Sequence, residues 1–506
     1  MDLILAVVII LLTSIVLLPI IKNYRKNKRI SQHIDILPGD KWYPLIGTTW
    51  TSLTSDRESY FDVLKTRHQR YGPFVRNWLG SMPVVHIYKP EHAQVIFRSN
   101  SLVNKGTFYK FLYPWLGQGL ISGSGPKWKE HRKIITPSFH FKVLDSYAET
   151  FVEKSETFVK YLEQFDGKGY FDVTEHLTRI AIDTISETAM GVKLNFLEKN
   201  NGKESDYAKA IVDFCSIVHK RLYNPILAND FLFKKTILGK KSQHYVDTIH
   251  NFNTHVIQTR KEHYQRHKSK LQQEDELGRK QKMSFLDMLL THQDNNNFGD
   301  DEIEEEVNTF MFGGQDTTNL AVTFAFLALG NNPEVLKRVH EELDAIFIDD
   351  PNRRITPQDI ADMEYLDRVV KEVLRCHCFV PFVTRELNED VEIDGVTIPK
   401  GVNVMVDLYD LHHDPDHYPD PYKFDPDRFL PENAARRHPY AFVPFSAGPR
   451  NCLGQKFAIR NVKTMLSYIL RKYNLTCKEK PEEVKYYLEI VLRPQKGLHV
   501  AIESRR

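Results

Sequence analysis

The stretch "PFSAGPRNCLGQKFA", Pro444–Ala458, places one cysteine in a glycine-containing loop that opens an amphipathic helix. Gly448 precedes Cys452 and Gly454 follows it. The helix dipole and the free N–H groups of a first turn stabilise a thiolate, and glycine lets those N–H groups turn towards the sulfur. Arg450 is placed to pair with an anion beside the thiolate. Such a thiolate suits a nucleophile, a redox sensor or an iron ligand.

A second unusual stretch, "FMFGGQDTT" (Phe310–Thr318), lies in the middle of a long helical pattern. Asp300 or Asp301 can cap this helix, and "GNNP" (Gly330–Pro333) ends it. Each glycine in a helix interior costs about 1 kcal/mol, and Asp and Thr compete for backbone hydrogen bonds. The pattern therefore indicates either a close helix–helix crossing or kink, or a place where a flat or bulky group approaches the backbone.

The spacing Phe-x-x-Gly-x-Arg-x-Cys-x-Gly, filled from Phe445 to Gly454, resembles the haem-thiolate loop of the cytochrome P450 monooxygenases. "KEVLR" matches the family's Glu-x-x-Arg pair with Glu372 and Arg375, and "FDPDRF" supplies Arg428 as third partner of that charge network. The resemblance covers essentially the whole chain. It implies a mainly α cytochrome P450 fold, a large helical body with a small β-rich region.

The resemblance also implies a bound haem b (iron protoporphyrin IX) with Cys452 as axial metal ligand. "WKEHR" matches a propionate-binding helix, and "GGQDTT" matches the oxygen-binding stretch of the family's central helix, where Asp316 and Thr317 would be the catalytic acid–alcohol pair that delivers protons. The residues implied to bind haem are Trp128, Arg132, Gly313, Gly314, Arg385, Phe445, Gly448, Arg450 and Cys452.

Within the family, "EVNTFMFGGQDTT" (Glu306–Thr318) resembles the signature of cytochrome P450 family 4. Members of family 4 typically carry an acidic residue where Gly313 stands, and some link it to haem as an ester. Glycine has no carboxylate, so we expect haem held without that bond. The sequence also departs from the family at Asn308 and Cys378, where Asp and Pro are usual.

Two classes of function fit these motifs. The first is a monooxygenase that inserts oxygen from O2 into a fatty acid, a related lipid or a hydrophobic xenobiotic. NADPH–cytochrome P450 reductase would supply its electrons, with cytochrome b5 as an optional second partner. The second is a haem-thiolate protein that does not activate O2, an isomerase or a haem-binding carrier. The pair Asp316–Thr317 favours the first class, because an isomerase needs no proton delivery.

The N-terminus differs from the rest of the chain. Leu3–Ile21 is uncharged and just long enough to span a bilayer, and a basic cluster from Lys22 to Arg29 follows it. This order favours an uncleaved anchor over a signal peptide, with the body on the cytoplasmic side of the endoplasmic reticulum membrane. We predict a transmembrane anchor at 1–21, a basic, Pro/Gly-rich linker at 22–47 and a haem-thiolate domain at 48–506.

Composition excludes some classes of protein. The formal charge of +2 argues against bulk nucleic-acid binding, and five unevenly spaced cysteines do not suggest a disulfide scaffold. Two β-rich stretches, Phe74–Tyr88 and Val391–Leu408, predict a small sheet region with turns at Gly80 and Asp394. The highly charged stretch Tyr264–Lys282 predicts an exposed loop between helices.

Overall fold

The computed structural model describes residues 27–43, 46–50, 60–198, 202–271, 283–295 and 298–505. The anchor predicted at Leu3–Ile21 lies outside these ranges. No helix within them has both the length and the apolar character that crossing a bilayer requires. Residues 27–34, inside the predicted linker, are helical. Ile34 in this segment is fully buried, in a hydrophobic cluster with strand residues such as Val85.

The described chain is mainly helical. The α-helices are α1 Tyr60–Tyr71, α2 Pro90–Arg98, α3 Tyr113–Leu116, α4 Gly125–Ile135, α5 Phe141–Leu162, α6 Thr174–Thr188, α7 Gly202–Tyr223, α8 Pro225–Ala228, α9 Asp230–Lys234, α10 Ile237–Leu271, α11 Phe285–Asp294, α12 Asp300–Asn331, α13 Pro333–Ile346, α14 Pro357–Asp362, α15 Glu364–Cys376, α16 Leu408–His412, α17 Pro431–Ala435 and α18 Gln455–Lys472. Short 3₁₀ turns cover Thr107–Leu112, Thr136–Phe139, Glu163–Phe165, Pro426–Phe429, Pro439–Ala441 and Gly448–Arg450.

The strands form small sheets. They are β1 Phe74–Leu79, β2 Met82–Ile87, β3 Phe171–Asp172, β4 Phe382–Glu386, β5 Val391–Ile393, β6 Val396–Ile398, β7 Asn403–Asp407, β8 Tyr473–Cys477, β9 Tyr486–Leu488, β10 Leu492–Pro494 and β11 His499–Ser504. One sheet has the order β1-β2-β7-β4, and a second has the order β3-β11-β8. The pairs β5–β6 and β9–β10 are hairpins. Both predicted turns are confirmed, because Gly80 joins β1 to β2 and Asp394 joins β5 to β6.

Helix α12 runs through the core, as its sequence predicts. All nine residues from 321 to 329 are buried. The N-cap is Gly299, not Asp300 or Asp301. Its backbone N–H donates to the Glu302 carboxylate at 2.9 Å, so the acidic first turn itself satisfies a backbone donor that the helix leaves free.

The predicted loop Tyr264–Lys282 is wrong in its first part. Helix α10 continues to Leu271, and residues 272–282 lie outside the described ranges. The helix continues because Tyr264 is buried against α11 and donates to Asp294 at 2.9 Å. Lys268 pairs with the same carboxylate at 2.7 Å. Tertiary contacts therefore stabilise a stretch whose charge alone indicates a loop.

The predicted charge network fixes α15 against the segment from His412 to Arg428. Arg375 pairs with both carboxylate oxygens of Glu372, at 2.7 and 2.8 Å, and both side chains are fully buried. Arg428 reaches Glu372 at 3.5 Å. The Arg375 guanidinium also donates to the backbone carbonyls of His412 and Pro421. A buried ion pair stabilises a fold only when its remaining hydrogen bonds are satisfied, and these carbonyls supply them.

Candidate functional site

A cavity of about 340 Å³ lies between the centre of α12 and the cysteine loop. Its walls are mostly apolar, with aromatic rings from several elements. The α12 residues that line it are Thr309, Phe310, Phe312, Gly313, Gly314, Thr317, Thr318 and Ala321. The loop and α18 contribute Phe445, Arg450, Cys452, Gly454 and Phe457 among others. The two stretches that are unusual in the sequence therefore face each other across one space.

Cys452 presents its thiol to this cavity at the start of α18. Its backbone N–H donates to the Phe445 carbonyl at 2.8 Å, which closes the loop. Burial raises the pKa of the Cys452 thiol, while the backbone N–H of Gly454 and the charge of Arg132 act in the opposite direction. A metal cation bound in the cavity would stabilise the thiolate form of Cys452.

Gly448 has a structural reason for its place in the motif. Its φ is +69°, and a Cβ there would collide with the Phe97 carbonyl at the end of α2. Gly448 does not line the cavity. The glycine therefore allows the loop to pass close to the backbone of α2, and it positions Cys452 without touching the cavity.

Arg450 ties the loop to the segment before α4. Its Nε donates to the Val103 carbonyl at 2.8 Å, and its Nη1 donates to the Leu120 carbonyl at 3.2 Å. The guanidinium lies 3.7 Å from the centre of the Trp128 ring, a cation–π contact. Trp128 and Arg450, each implied by the sequence to bind haem, thus contact one another although they are far apart in the sequence.

Four cations gather beside the cavity without a carboxylate partner. Arg132, Arg385, Arg450 and Lys105 take part in none of the ion pairs among the described residues. Arg132 donates to the backbone and side chain of Asn451, at 3.0 and 2.6 Å. Burial lowers the pKa of Arg450 to about 9, and burial followed by the charge of Arg385 lowers the pKa of Lys105 well below its usual value. Buried cations of this kind call for an anionic ligand.

The two glycines of α12 have different surroundings. A Cβ on Gly313 would meet only Ile121, at 3.7 Å, an ordinary contact beside open space. A Cβ on Gly314 would lie 2.7 Å from Cγ1 of Ile185 and closer still to its Cδ1. Gly314 therefore permits the close crossing of α12 and α6, whereas Gly313 leaves room over the cavity. Each interpretation offered by the sequence holds for one glycine.

Threonine hydroxyls give the α12 wall its polar groups. Thr317 Oγ1 donates to the Gly313 carbonyl at 2.7 Å. The hydroxyls of Thr309 and Thr318 are buried and have no hydrogen-bond partner among the described residues. All three side chains line the cavity. These hydroxyls are polar groups that can bind water in an otherwise apolar space.

Asp316 does not line the cavity, unlike the three threonines. Its carboxylate is buried and lies 2.5 Å from Nη2 of Arg493 on β10. The acid and the alcohol of the predicted catalytic pair are therefore adjacent in sequence but face different surroundings. Sequence reasoning missed Arg493 because it lies 177 positions further along the chain, and no local pattern links the two.

These residues fit haem b. A flat group between Gly313 and Cys452 would place its metal beside the thiol, and its two propionates would meet the four unpartnered cations. Three of those cations, Arg132, Arg385 and Arg450, were predicted. The fourth, Lys105, was missed because nothing in its neighbourhood of the sequence distinguishes it. It is placed by a β-bridge between Lys105 and Arg385.

Comparison with known proteins gives full-length matches. A sequence model of the family Cytochrome P450 matches residues 37–501. Cytochrome P450 4c21 of Blattella germanica is 38% identical over 98% of this chain and 98% of its own length. Cytochrome P450 4c3 of Drosophila melanogaster is 37% identical over 99% and 95%. Cytochrome P450 4V2 of Homo sapiens is 37% identical over 92% and 88%.

Proposed function

This chain belongs to the cytochrome P450 family and is a haem-dependent monooxygenase, and we propose that it oxidises a lipid-like substrate held against the Gly313 face of α12. The family carries haem b on a cysteine thiolate, and we assign Cys452 as that ligand. The observation that carries the proposal is the cavity itself, with a thiol on one side and a glycine-opened helix on the other. When bound, the haem supplies reductive activation of O2 and insertion of one oxygen atom into the substrate.

The apolar wall favours a fatty acid, a related lipid or a hydrophobic xenobiotic. Aromatic rings line the cavity from several directions, including Phe108, Phe310 and Phe382. The cations beside the cavity lie on the side assigned to the propionates. Away from them, Glu489 is the one carboxylate among the described lining residues. A mostly apolar wall binds through the hydrophobic effect and selects by shape.

The side chains of this protein have separate tasks in that reaction. Arg132, Arg385, Arg450 and Lys105 would hold the propionates. Thr317 holds its Oγ1 hydrogen on the Gly313 carbonyl, so the lone pairs of Oγ1 stay open to water in the cavity. We propose that this water donates protons to the reacting oxygen and that Asp316 then reprotonates the water.

Gly313 would also affect which carbon is oxidised. A carboxylate at this position would fill the space beside Ile121 and could bond to haem, whereas glycine leaves it open. We propose that haem is held without an ester bond and that in-chain as well as terminal carbons of the substrate reach the iron.

Electron delivery would use exposed lysines near the cysteine loop. The sequence places six candidate cations on α4 and α18, which are Lys127, Lys129, Lys133, Lys456, Arg460 and Lys463. Three of them already pair with carboxylates of this chain. Lys127 pairs with Glu305 at 2.7 Å, Arg460 pairs with Asp145 at 2.6 Å, and Lys463 is buried near Asp367. Three remain exposed: Lys129, Lys133 and Lys456. We propose that they meet an acidic surface of NADPH–cytochrome P450 reductase, with cytochrome b5 as a second partner.

The proposed location is the endoplasmic reticulum membrane, with the haem domain on the cytoplasmic side. The support is the sequence of residues 1–29 alone. Deletion of residues 1–29 tests this proposal, because it should move the protein from the membrane pellet to a salt-washed soluble fraction with its haem spectrum unchanged.

The assignment of Cys452 is tested by its serine variant. Reduced, carbon monoxide-bound protein should show the red-shifted Soret band of thiolate ligation, and Cys452→Ser should lose it. Cys378→Ser is the matched control, since Cys378 is buried near the sheet and does not line the cavity. A Cys452→Ser protein that keeps the thiolate spectrum would contradict the assignment.

The substrate class is tested by turnover. Purified protein, reductase and NADPH should oxidise members of a panel of fatty acids, fatty alcohols and hydrophobic drugs, with products identified by mass spectrometry. Dependence of product on both NADPH and reductase separates a monooxygenase from a haem protein that does not activate O2. Oxidation of polar panel members alone would contradict a lipid-like substrate.

A further inference from the structure

The hairpin of β9 and β10 contacts both the cavity, through its tip, and α12, through Arg493. Its tip, residues 489–491, lines the cavity. The strands pair Leu488 with Leu492, and Leu492 N–H donates to the Phe379 carbonyl at 2.8 Å. Arg493 is the next residue on β10. The tip ends only two residues before Arg493, so a substrate that presses on the tip would also move the strand that carries Arg493.

Arg493 forms a hydrogen-bonded ion pair with Asp316 and lies within ion-pair distance of a second carboxylate, Glu489. Its Nη2 lies 2.5 Å from Oδ2 of Asp316, and its Nε lies 3.4 Å from Oε2 of Glu489 at the hairpin tip. The side chains of Arg493 and Asp316 are 13% and 2% exposed. The side chain of Glu489 is 0% exposed, so substrate meets the tip through its other cavity-lining atoms and not through this carboxylate. The guanidinium therefore links the hairpin tip to Asp316, which does not line the cavity.

The ion pair with Arg493 fixes where Asp316 points. Charge-assisted hydrogen bonds are stronger than neutral ones, and loss of one partner from a buried pair is disfavoured because a charge is left alone. The helix backbone fixes the position of Asp316, nearly one turn after Gly313. A change of its side-chain rotamer is therefore the movement that would bring the carboxylate towards Thr317. The ion pair opposes that movement.

We propose that Arg493 is a positioning residue that keeps the Asp316 carboxylate away from the cavity until substrate displaces the hairpin tip. This inference rests on the proposed function. Hydroxylation consumes one O2, two electrons and two protons and yields the alcohol and water. Without substrate the same O2, electrons and protons yield hydrogen peroxide. If only substrate contact releases the carboxylate, protons reach the cavity water only when an oxidisable carbon is present. Release of this kind would limit the formation of hydrogen peroxide.

The first test uses the substrate-free haem protein, reduced chemically and mixed with oxygenated buffer. Each reduced protein molecule transfers one electron to O2. The O2 also takes up one proton and leaves as the hydroperoxyl radical. Arg493→Gln should speed this reoxidation at least threefold, with a larger solvent deuterium isotope effect. Arg493→Lys retains a cation and should stay near wild type. In the double variant with Asp316→Asn the rate should fall back to that of Asp316→Asn alone, which a merely structural role would not produce.

Arg260→Gln is the matched control. Arg260 pairs with Asp287 at 2.5 Å, with side chains 12% and 0% exposed, and neither residue lines the cavity. The control should lower thermal stability as Arg493→Gln does and leave the reoxidation rate unchanged. At equal haem content, an unchanged rate in Arg493→Gln would overturn the inference. A double variant as fast as Arg493→Gln would overturn it too.

The second test needs no variant and no reductase. Octylamine, an apolar chain whose amine binds haem iron, is added to the wild-type protein until the spectrum shows saturation. Hydrogen exchange in residues 486–494 should then increase relative to residues 499–504 of β11. Unchanged or slower exchange in the hairpin would overturn the coupling of cavity occupancy to Arg493. The monooxygenase assignment would stand, because it depends on turnover with NADPH.

Discussion

The two adjacent glycines of α12 should respond oppositely to the same substitution. Alanine in place of glycine stabilises a helix interior by up to about 1 kcal/mol, and this gain is common to Gly313→Ala and Gly314→Ala. At Gly313 the new methyl group makes an ordinary 3.7 Å contact with Ile121. Gly313→Ala should therefore raise the free energy of unfolding by about 0.5 to 1 kcal/mol.

At Gly314 the same methyl group lies 2.7 Å from Cγ1 of Ile185, with Cδ1 closer. Ile185 is 5% exposed and lies in α6, where a β-branched side chain has one strongly preferred χ1 rotamer, so moving it aside is costly. Overpacking of this kind costs about 1 to 3 kcal/mol. Since the helix gain cancels between the two variants, their free energies of unfolding should differ by about 1 to 3 kcal/mol, with Gly314→Ala the less stable.

Urea unfolding at matched haem content, followed by far-UV circular dichroism, measures the difference. The Ile185→Ala background is the control, because it removes the atoms that collide. There Gly314→Ala should become as favourable as Gly313→Ala, a coupling that a double-mutant cycle detects. If Gly314→Ala matched Gly313→Ala in the wild-type background, the close crossing of α12 and α6 would be wrong.

Three further predictions concern the site. Thr317→Ala should keep its haem spectrum but release more peroxide per NADPH consumed, since it removes the hydroxyl that we propose binds cavity water. Unchanged product per NADPH would contradict that role. Acid chromatography should free all haem from the wild-type protein, whereas the Gly313→Glu variant should retain part of its haem covalently. Haem that stays with the wild-type polypeptide would refute the expectation that no ester bond holds it. The double variant Lys129→Glu with Lys456→Glu should slow reductase-supported turnover severalfold and leave peroxide-supported turnover unchanged. Charge reversal at the exposed Lys240 and Lys241 on α10 is the control and should change neither activity. Equal loss of both activities would indicate misfolding.

The sequence alone determined the features that depend on local pattern. The C-terminal end of α12, the hairpin turns at Gly80 and Asp394, and the pairing of Glu372 with Arg375 follow from spacing and turn chemistry within short segments. The N-cap of α12 was predicted one or two residues too late, because the acidic first turn offers several similar candidates. The cysteine loop is likewise local, because a thiol at a helix start needs only its neighbours. For this reason the family could be predicted before any contact was known.

The tertiary structure decided what depends on distant contacts. Both glycines line the cavity, and no local rule makes Gly314 alone the point of a close helix crossing, since the difference is the position of Ile185 and Ile121. Lys105 joins the other cations only through its bridge to Arg385 on β4. Asp316 turns from the cavity because Arg493 lies beside it. Adjacent residues on a helix point in directions about 100° apart, and only the packing of other elements determines what each direction meets.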